Sequence, residues 1–161
     1  VGHLGTLDPA ASGVLPVAFG KATKFFDYFL TKDKEYIADV KFGVETDTLD
    51  SFGQIIDKND LQVSEAQIQG VLGEFIGRIS QVPPKYSAKN IDGKRGYQLA
   101  RKGVEFSLPP KKVVIKEFSL IEKTSENSYT FKIECEGGTY IRSLARDLGL
   151  RLGSLAYMSK F

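Results

Sequence analysis

Two segments alternate apolar and polar residues with a period of two, and they constrain the fold more than any other feature of the chain. In the first, Tyr36, Ala38, Val40, Phe42 and Val44 share one face, with Asp39 and Lys41 opposite. In the second, Tyr129, Phe131, Ile133 and Cys135 alternate with Thr130, Lys132 and Glu134. This period puts successive side chains on opposite faces of a strand, so one face meets a core and the other meets water. Strands of doubly wound parallel sheets are covered on both faces and read as continuous apolar runs, whereas half-exposed strands suit antiparallel sheets.

Further strands are expected near Lys112 to Ile121 and, as a short piece, Gln54 to Asp57. The apolar run Val14 to Phe19 predicts a buried strand. Ala22, Phe25, Phe26, Phe29 and Leu30 follow helical spacing. Ser64 and Gln67 form a capping-box pattern ahead of an apolar stripe of Ile68, Val71, Leu72, Phe75 and Ile76. Tyr97 to Lys102 predicts a helix stopped by Gly103. Ile141, Leu144, Ala145, Leu148 and Leu152 predict a last amphipathic helix, and Thr46 to Gly53 a polar loop. Strands mixed with helices give an α+β class: a mixed, largely antiparallel sheet flanked by helices.

At 161 residues the chain suits a single domain. No run approaches the ~18 to 20 apolar residues of a membrane span, and Val1-Gly2-His3 does not open like a signal peptide. The single cysteine excludes an internal disulfide and a multi-cysteine zinc site. Cys135 reads as a small buried hydrophobe, and a reduced, cytoplasmic setting fits.

The net charge of +2 does not by itself imply nucleic acid. Its distribution says more. Between Lys85 and Gly103 stand Lys85, Lys89, Lys94, Arg95, Arg101 and Lys102 against one acid, Asp92, with Tyr86 and Tyr97 interleaved. Such a segment can meet phosphates with its cations and bases with its rings. It can equally be a solvated surface loop and helix.

The opening segment carries the chemistry. It reads Gly2-His3-Leu4-Gly5-Thr6-Leu7-Asp8-Pro9-Ala10-Ala11-Ser12-Gly13. Pro9 stiffens the chain and pushes Asp8 toward an extended conformation. A stiff, glycine-flanked loop can present one carboxylate, but Asp-Pro is also common in plain turns, and pattern alone does not choose. The segment resembles the signature of the bacterial tRNA pseudouridine synthase B (TruB) family, G-H-x-G-T-L-D-P-x-A-S/T-G-x-L-P followed by G-x-A-T-K, here Gly20-Lys21-Ala22-Thr23-Lys24. The resemblance continues in Lys34-Glu35-Tyr36, Thr46-Asp47-Thr48-Leu49-Asp50, Gln81-Val82-Pro83-Pro84-Lys85-Tyr86-Ser87-Ala88 and Gly138-Thr139-Tyr140-Ile141-Arg142-Ser143-Leu144-Ala145-Arg146-Asp147-Leu148-Gly149. These blocks stand in family order and span nearly the whole chain.

The resemblance implies an isomerase that converts a uridine of the tRNA T-loop, at position 55, into pseudouridine, with no cofactor and no metal. It implies that residues 1–161 are a catalytic-domain fragment, N-terminally incomplete and without the C-terminal RNA-binding domain. A missing N-terminal strand would leave a sheet edge unpaired. The essential aspartate falls on Asp8, acting as nucleophile or as base. Arg142 matches the arginine that pairs with it, and Tyr36 the tyrosine that stacks on the target base and exchanges a proton. Read without the resemblance, Arg142 is a charge at a helix start and Tyr36 a core ring. His3 matches a residue that helps extrude the base, a step that costs a few kcal/mol. Lys24, Lys85, Tyr86 and Lys89 are expected RNA contacts, and Tyr140 a pocket-lining residue. Thr46, Asp47 and Asp50 are expected to form a turn. The implied partner is the T-arm of tRNA, with no membrane, no required protein partner and a monomeric state. The alternatives are a guide-RNA-dependent homologue, disfavoured by the Pro84-Lys85-Tyr86-Ser87-Ala88 and Gly-x-Ala-Thr-Lys blocks, and a non-catalytic tRNA-binding or folding module.

Overall fold

The computed structural model describes residues 1–85, 90–91, 94–95 and 108–161. Five strands form one antiparallel sheet: β3 (Lys34–Phe42), β6 (Gly77–Gln81), β9 (Lys111–Ser125), β10 (Ser128–Cys135) and β11 (Ala156–Lys160), in the order β11-β3-β10-β9-β6. The two alternating segments are its centre. Tyr129 stands opposite Val40, and Phe131 opposite Ala38. Both strands turn their apolar residues to the same side.

That side is covered by α2 (Glu65–Leu72) and α3 (Ile141–Arg151). Ile68, Val71 and Leu72 of α2 join Ile141, Leu144, Ala145 and Leu148 of α3 in a core with Val40, Phe42, Phe131, Ile133 and Ile115. Cys135 is buried in it, as expected. The opposite side of the sheet is polar. There Lys132 lies between Glu35 and Glu117 across the strands, at 4.0 and 3.5 Å. An antiparallel sheet with one wet face is what the period of two demanded.

The Ser64 capping box forms: the hydroxyl accepts from Gln67 N–H, and the Gln67 carboxamide oxygen accepts from Ser64 N–H. The apolar stripe outlives the helix. The α-helix ends at Leu72, a 3₁₀ turn continues to Phe75, and Ile76 is extended and 47% exposed. The β9–β10 hairpin turns on Asn127, which takes φ +57°, a left-handed conformation that asparagine tolerates. The Asn127 side chain donates to the carbonyls of Phe42 and Leu61 and accepts from Val63 N–H, tying three segments together.

The apolar run at Val14 to Phe19 is a correction. Only Val17–Ala18 (β2) is a strand, paired with Gly2–His3 (β1), and only Ala18 of the run is buried. Val14 is 92% exposed. An apolar run buries only what a partner covers, and β1 is two residues long. The next helical pattern splits into a 3₁₀ segment, Gly20–Phe25, and α1 (Phe26–Leu30). Short strands β4 (Val44–Thr46) and β5 (Ile55–Lys58) flank the expected polar loop, and β7 (Asn90–Ile91) pairs with β8 (Lys94–Arg95). The helix expected at Tyr97 to Lys102 lies outside the described residues. No helix among the described residues is long and apolar enough to cross a membrane.

Candidate active site

The β1–β2 ladder closes the loop that carries Asp8, and Leu4 N–H adds a bond to the Pro16 carbonyl. Asp8 then opens a turn, its carbonyl accepting from Ala11 N–H at 2.8 Å with Pro9 between. The plain Asp-Pro turn and the presented carboxylate are thus the same structure. The turn fixes the backbone, and the side chain is left to reach across the molecule.

It reaches Arg142. Arg142 Nε stands 2.9 Å from Asp8 Oδ2, and a second guanidinium nitrogen 3.5 Å from Oδ1. The guanidinium thus faces both carboxylate oxygens, in close ion contact with Oδ2 and at the limit of hydrogen-bond distance from Oδ1. Arg142 is only 6% exposed, on the first turn of α3. Its third contact is to the Thr48 carbonyl, at 3.0 Å.

The Thr46–Gly53 loop explains how that carbonyl is presented. Asp50 is buried; its Oδ1 accepts from Thr48 Oγ1 and from Phe52 N–H, while its own carbonyl accepts from Thr46 Oγ1. Asp47 accepts from Gln54 N–H. Leu49 is held at φ +62°, with its side chain buried and its carbonyl accepting from Met158 N–H. A leucine in that region costs on the order of 1 kcal/mol and persists only where its surroundings over-determine it. The expected turn at Thr46, Asp47 and Asp50 is present, and it serves the site by aiming a backbone carbonyl. The sequence reading missed Thr48, because a carbonyl contact leaves no mark on residue type.

Asp8, Arg142 and Thr48 line a cleft of about 1340 Å³ that also takes in Tyr36, His3 and Tyr140. Tyr36 begins the inner face of β3 and packs its ring 6.1 Å from that of Phe161. Core and cleft meet at this residue: Tyr36 lines the cleft and also packs against the core. Its hydroxyl pKa is pushed from 10.0 up to about 12, chiefly by burial, then by the nearby Cys135 and Asp8. At neutral pH Tyr36 is an uncharged phenol. Burial likewise pushes up the Cys135 thiol. His3 is exposed, and its Nδ1 is bonded to the Gly5 carbonyl.

Lys24 and Lys85 are exposed and neither lines the cleft. Tyr86 and Lys89 lie outside the described residues. Among the described residues no group of three or more His, Cys, Asp or Glu is placed to hold a metal ion.

Residues 1–141 match the TruB family pseudouridylate synthase N-terminal domain. The chain is 44% identical over 160 residues to the tRNA pseudouridine synthase B of Caldanaerobacter subterraneus subsp. tengcongensis, covering 99% of this chain and 56% of that protein. It is 48% identical over 160 residues to that of Anaplasma marginale, covering 99% and 52%. The chain therefore spans about half the length of these curated relatives. In three dimensions it resembles a chain of the crystal structure of a Cbf5-Nop10-Gar1 complex, with a TM-score of 0.70 at 33% identity, covering 99% of this chain and 38% of that one. A chain of an H/ACA RNP bound to a substrate RNA containing 2'-deoxyuridine gives 0.66 at 30% identity, covering 99% and 36%.

Proposed function

The chain belongs to the TruB family of pseudouridylate synthases, and we propose that its residues 1–161 form a catalytic domain that isomerises uridine to pseudouridine at position 55 in the T-loop of tRNA. The observation that carries this reading is the Asp8–Arg142 ion pair set in a cleft beside the Tyr36 ring. The reaction breaks the bond from ribose to the uracil nitrogen, turns the base and rejoins it through carbon. The carbon's hydrogen is lost and a proton is gained at nitrogen, so no atoms are gained overall.

Arg142 keeps Asp8 oriented, and a carboxylate so held attacks the nucleoside or removes a proton from it. The neutral Tyr36 ring offers a face for the uracil and a hydroxyl that donates. The Asp8 charge is one cause of the raised Tyr36 pKa. When Asp8 is consumed as a covalent adduct or takes up a proton, that cause is removed, and the phenol becomes a better acid. His3, at the cleft's exposed rim, fills the space of the extruded base. Tyr140 contacts the base, and Lys24, Lys85, Tyr86 and Lys89 contact RNA phosphates. The chain works in the cytoplasm as a monomer, without a guide RNA or protein partner. The test is incubation of the full chain with a T-arm stem-loop, followed by chemical mapping of pseudouridine. Pseudouridine at that one uridine supports the reading; RNA binding without any pseudouridine refutes it in favour of a binding module.

A further inference from the structure

Arg142 can grip Asp8 only if α3 begins in the right place, and α3 has no side-chain cap of its own: its N-cap residue, Tyr140, makes no such bond. The grip comes from outside the helix. Gln81, the last residue of β6, is 1% exposed. Its Oε1 accepts from Tyr140 N–H at 2.9 Å, and its Nε2 donates to the Tyr140 carbonyl at 3.1 Å. One carboxamide thus holds both backbone groups of the N-cap residue, as a neighbouring strand would. The Tyr140 carbonyl also accepts from Leu144 N–H, the first bond of the helix. One turn further on, Arg146 donates to the Val82 carbonyl at 2.8 Å. The first two turns of α3 are therefore fastened to the residue pair Gln81-Val82.

We infer that Gln81 is a positioning residue for the reaction: it fixes the start of α3 and, through it, the Asp8–Arg142 pair and the Tyr140 ring. This inference rests on the pseudouridine synthase reading. The chemistry requires glutamine. A donor and an acceptor must leave one side chain in the same plane, and the carboxamide supplies both. Methionine fills the same space and supplies neither. An ionised glutamate supplies acceptors only and would face the Tyr140 carbonyl with negative charge. Because Gln81 does not itself line the cleft and bonds the backbone of Tyr140, its loss affects rate more than RNA affinity.

The experiment compares wild type, Gln81→Met and Gln81→Glu in the full chain. It measures single-turnover pseudouridine formation on a T-arm stem-loop, the Kd for that RNA, and the Arg142 Nε–H resonance in ¹⁵N-labelled protein, assigned with Arg142→Lys. Gln81→Met is expected to slow formation about 10- to 100-fold, the range expected when reacting groups are misplaced by about an ångström, with Kd within about threefold. The Arg142 resonance shifts or exchanges faster with water. A folded Gln81→Met protein with wild-type rate and an unmoved Arg142 resonance overturns the inference. Gln81→Glu covers the case in which methionine prevents folding. Burial raises a carboxyl pKa, and the protonated acid restores the donor, so its rate relative to wild type is expected to rise from pH about 8 to about 6. A ratio flat with pH overturns the inference. An inactive wild type refutes the functional reading itself, whereas an unmoved resonance in an otherwise active series refutes only the role of Gln81.

Discussion

Replacing Arg142 with lysine keeps the charge and removes the fork. The guanidinium reaches Asp8 Oδ2 from Nε at 2.9 Å, Oδ1 from a second nitrogen at 3.5 Å, and the Thr48 carbonyl from a third at 3.0 Å. A lysine ammonium is a point donor on a flexible stem, and from this helix position it can serve one carboxylate oxygen. The Thr48 carbonyl then loses its partner. A hydrogen bond to a charged group is worth about 1.5–3 kcal/mol. The 3.5 Å contact is long and contributes little, and the Asp8 side chain is 29% exposed, so water replaces part of what is lost. The net loss is about 2–3 kcal/mol, which corresponds to roughly a 30- to 150-fold slower chemical step if it falls on the transition state. The RNA still meets the same charge, so Kd is expected to change less than about threefold. Single-turnover pseudouridine formation at saturating enzyme separates the two effects. A rate within about threefold of wild type, or a loss confined to Kd, refutes the claim that fork geometry orients Asp8.

Three further predictions concern the surroundings of the site. Asn127→Ala removes three hydrogen bonds, two of them buried, and places alanine at φ +57°; the expected cost is about 3 kcal/mol, a fall in Tm on the order of 10 °C by calorimetry. Tyr36 ionises near 10.0 when unfolded and near about 12 when folded, so its contribution to stability is whole below pH about 10 and is lost as pH rises toward about 12. Urea titrations should show this alkaline fall in wild type and a smaller one in Tyr36→Phe. Affinity for the T-arm should fall steeply with salt, with a log–log slope of about −3 or steeper if four or more phosphates are contacted; a flat response argues against the basic interface.

The legible parts of this fold are those where one strand or helix records its own surroundings. β3 and β10 alternate because one face is buried and the other is wet, and Ser64 with Gln67 spells out its cap. β6 and β11 left no such trace. Gly77–Gln81 offers one inward aliphatic residue, Ile79, and is a strand because β9 lies beside it. Ala156 and Met158 point inward only because β11 adds to the edge of β3. The site divides in the same way. Asp8, Tyr36 and Arg142 were reached through resemblance, since spacing alone left each with an ordinary structural explanation. Thr48 acts through a backbone carbonyl, and Gln81 acts on a backbone 59 residues away. Neither contact has a local pattern to find.

Asp8→Asn in the full chain tests the central claim most directly. Asparagine keeps the size of the side chain and one acceptor for Arg142 but removes the anion. Pseudouridine formation on a T-arm stem-loop, measured beside binding of the same RNA, is expected to fall to background while binding persists. Turnover at the wild-type rate would contradict the assignment of Asp8 as the catalytic group.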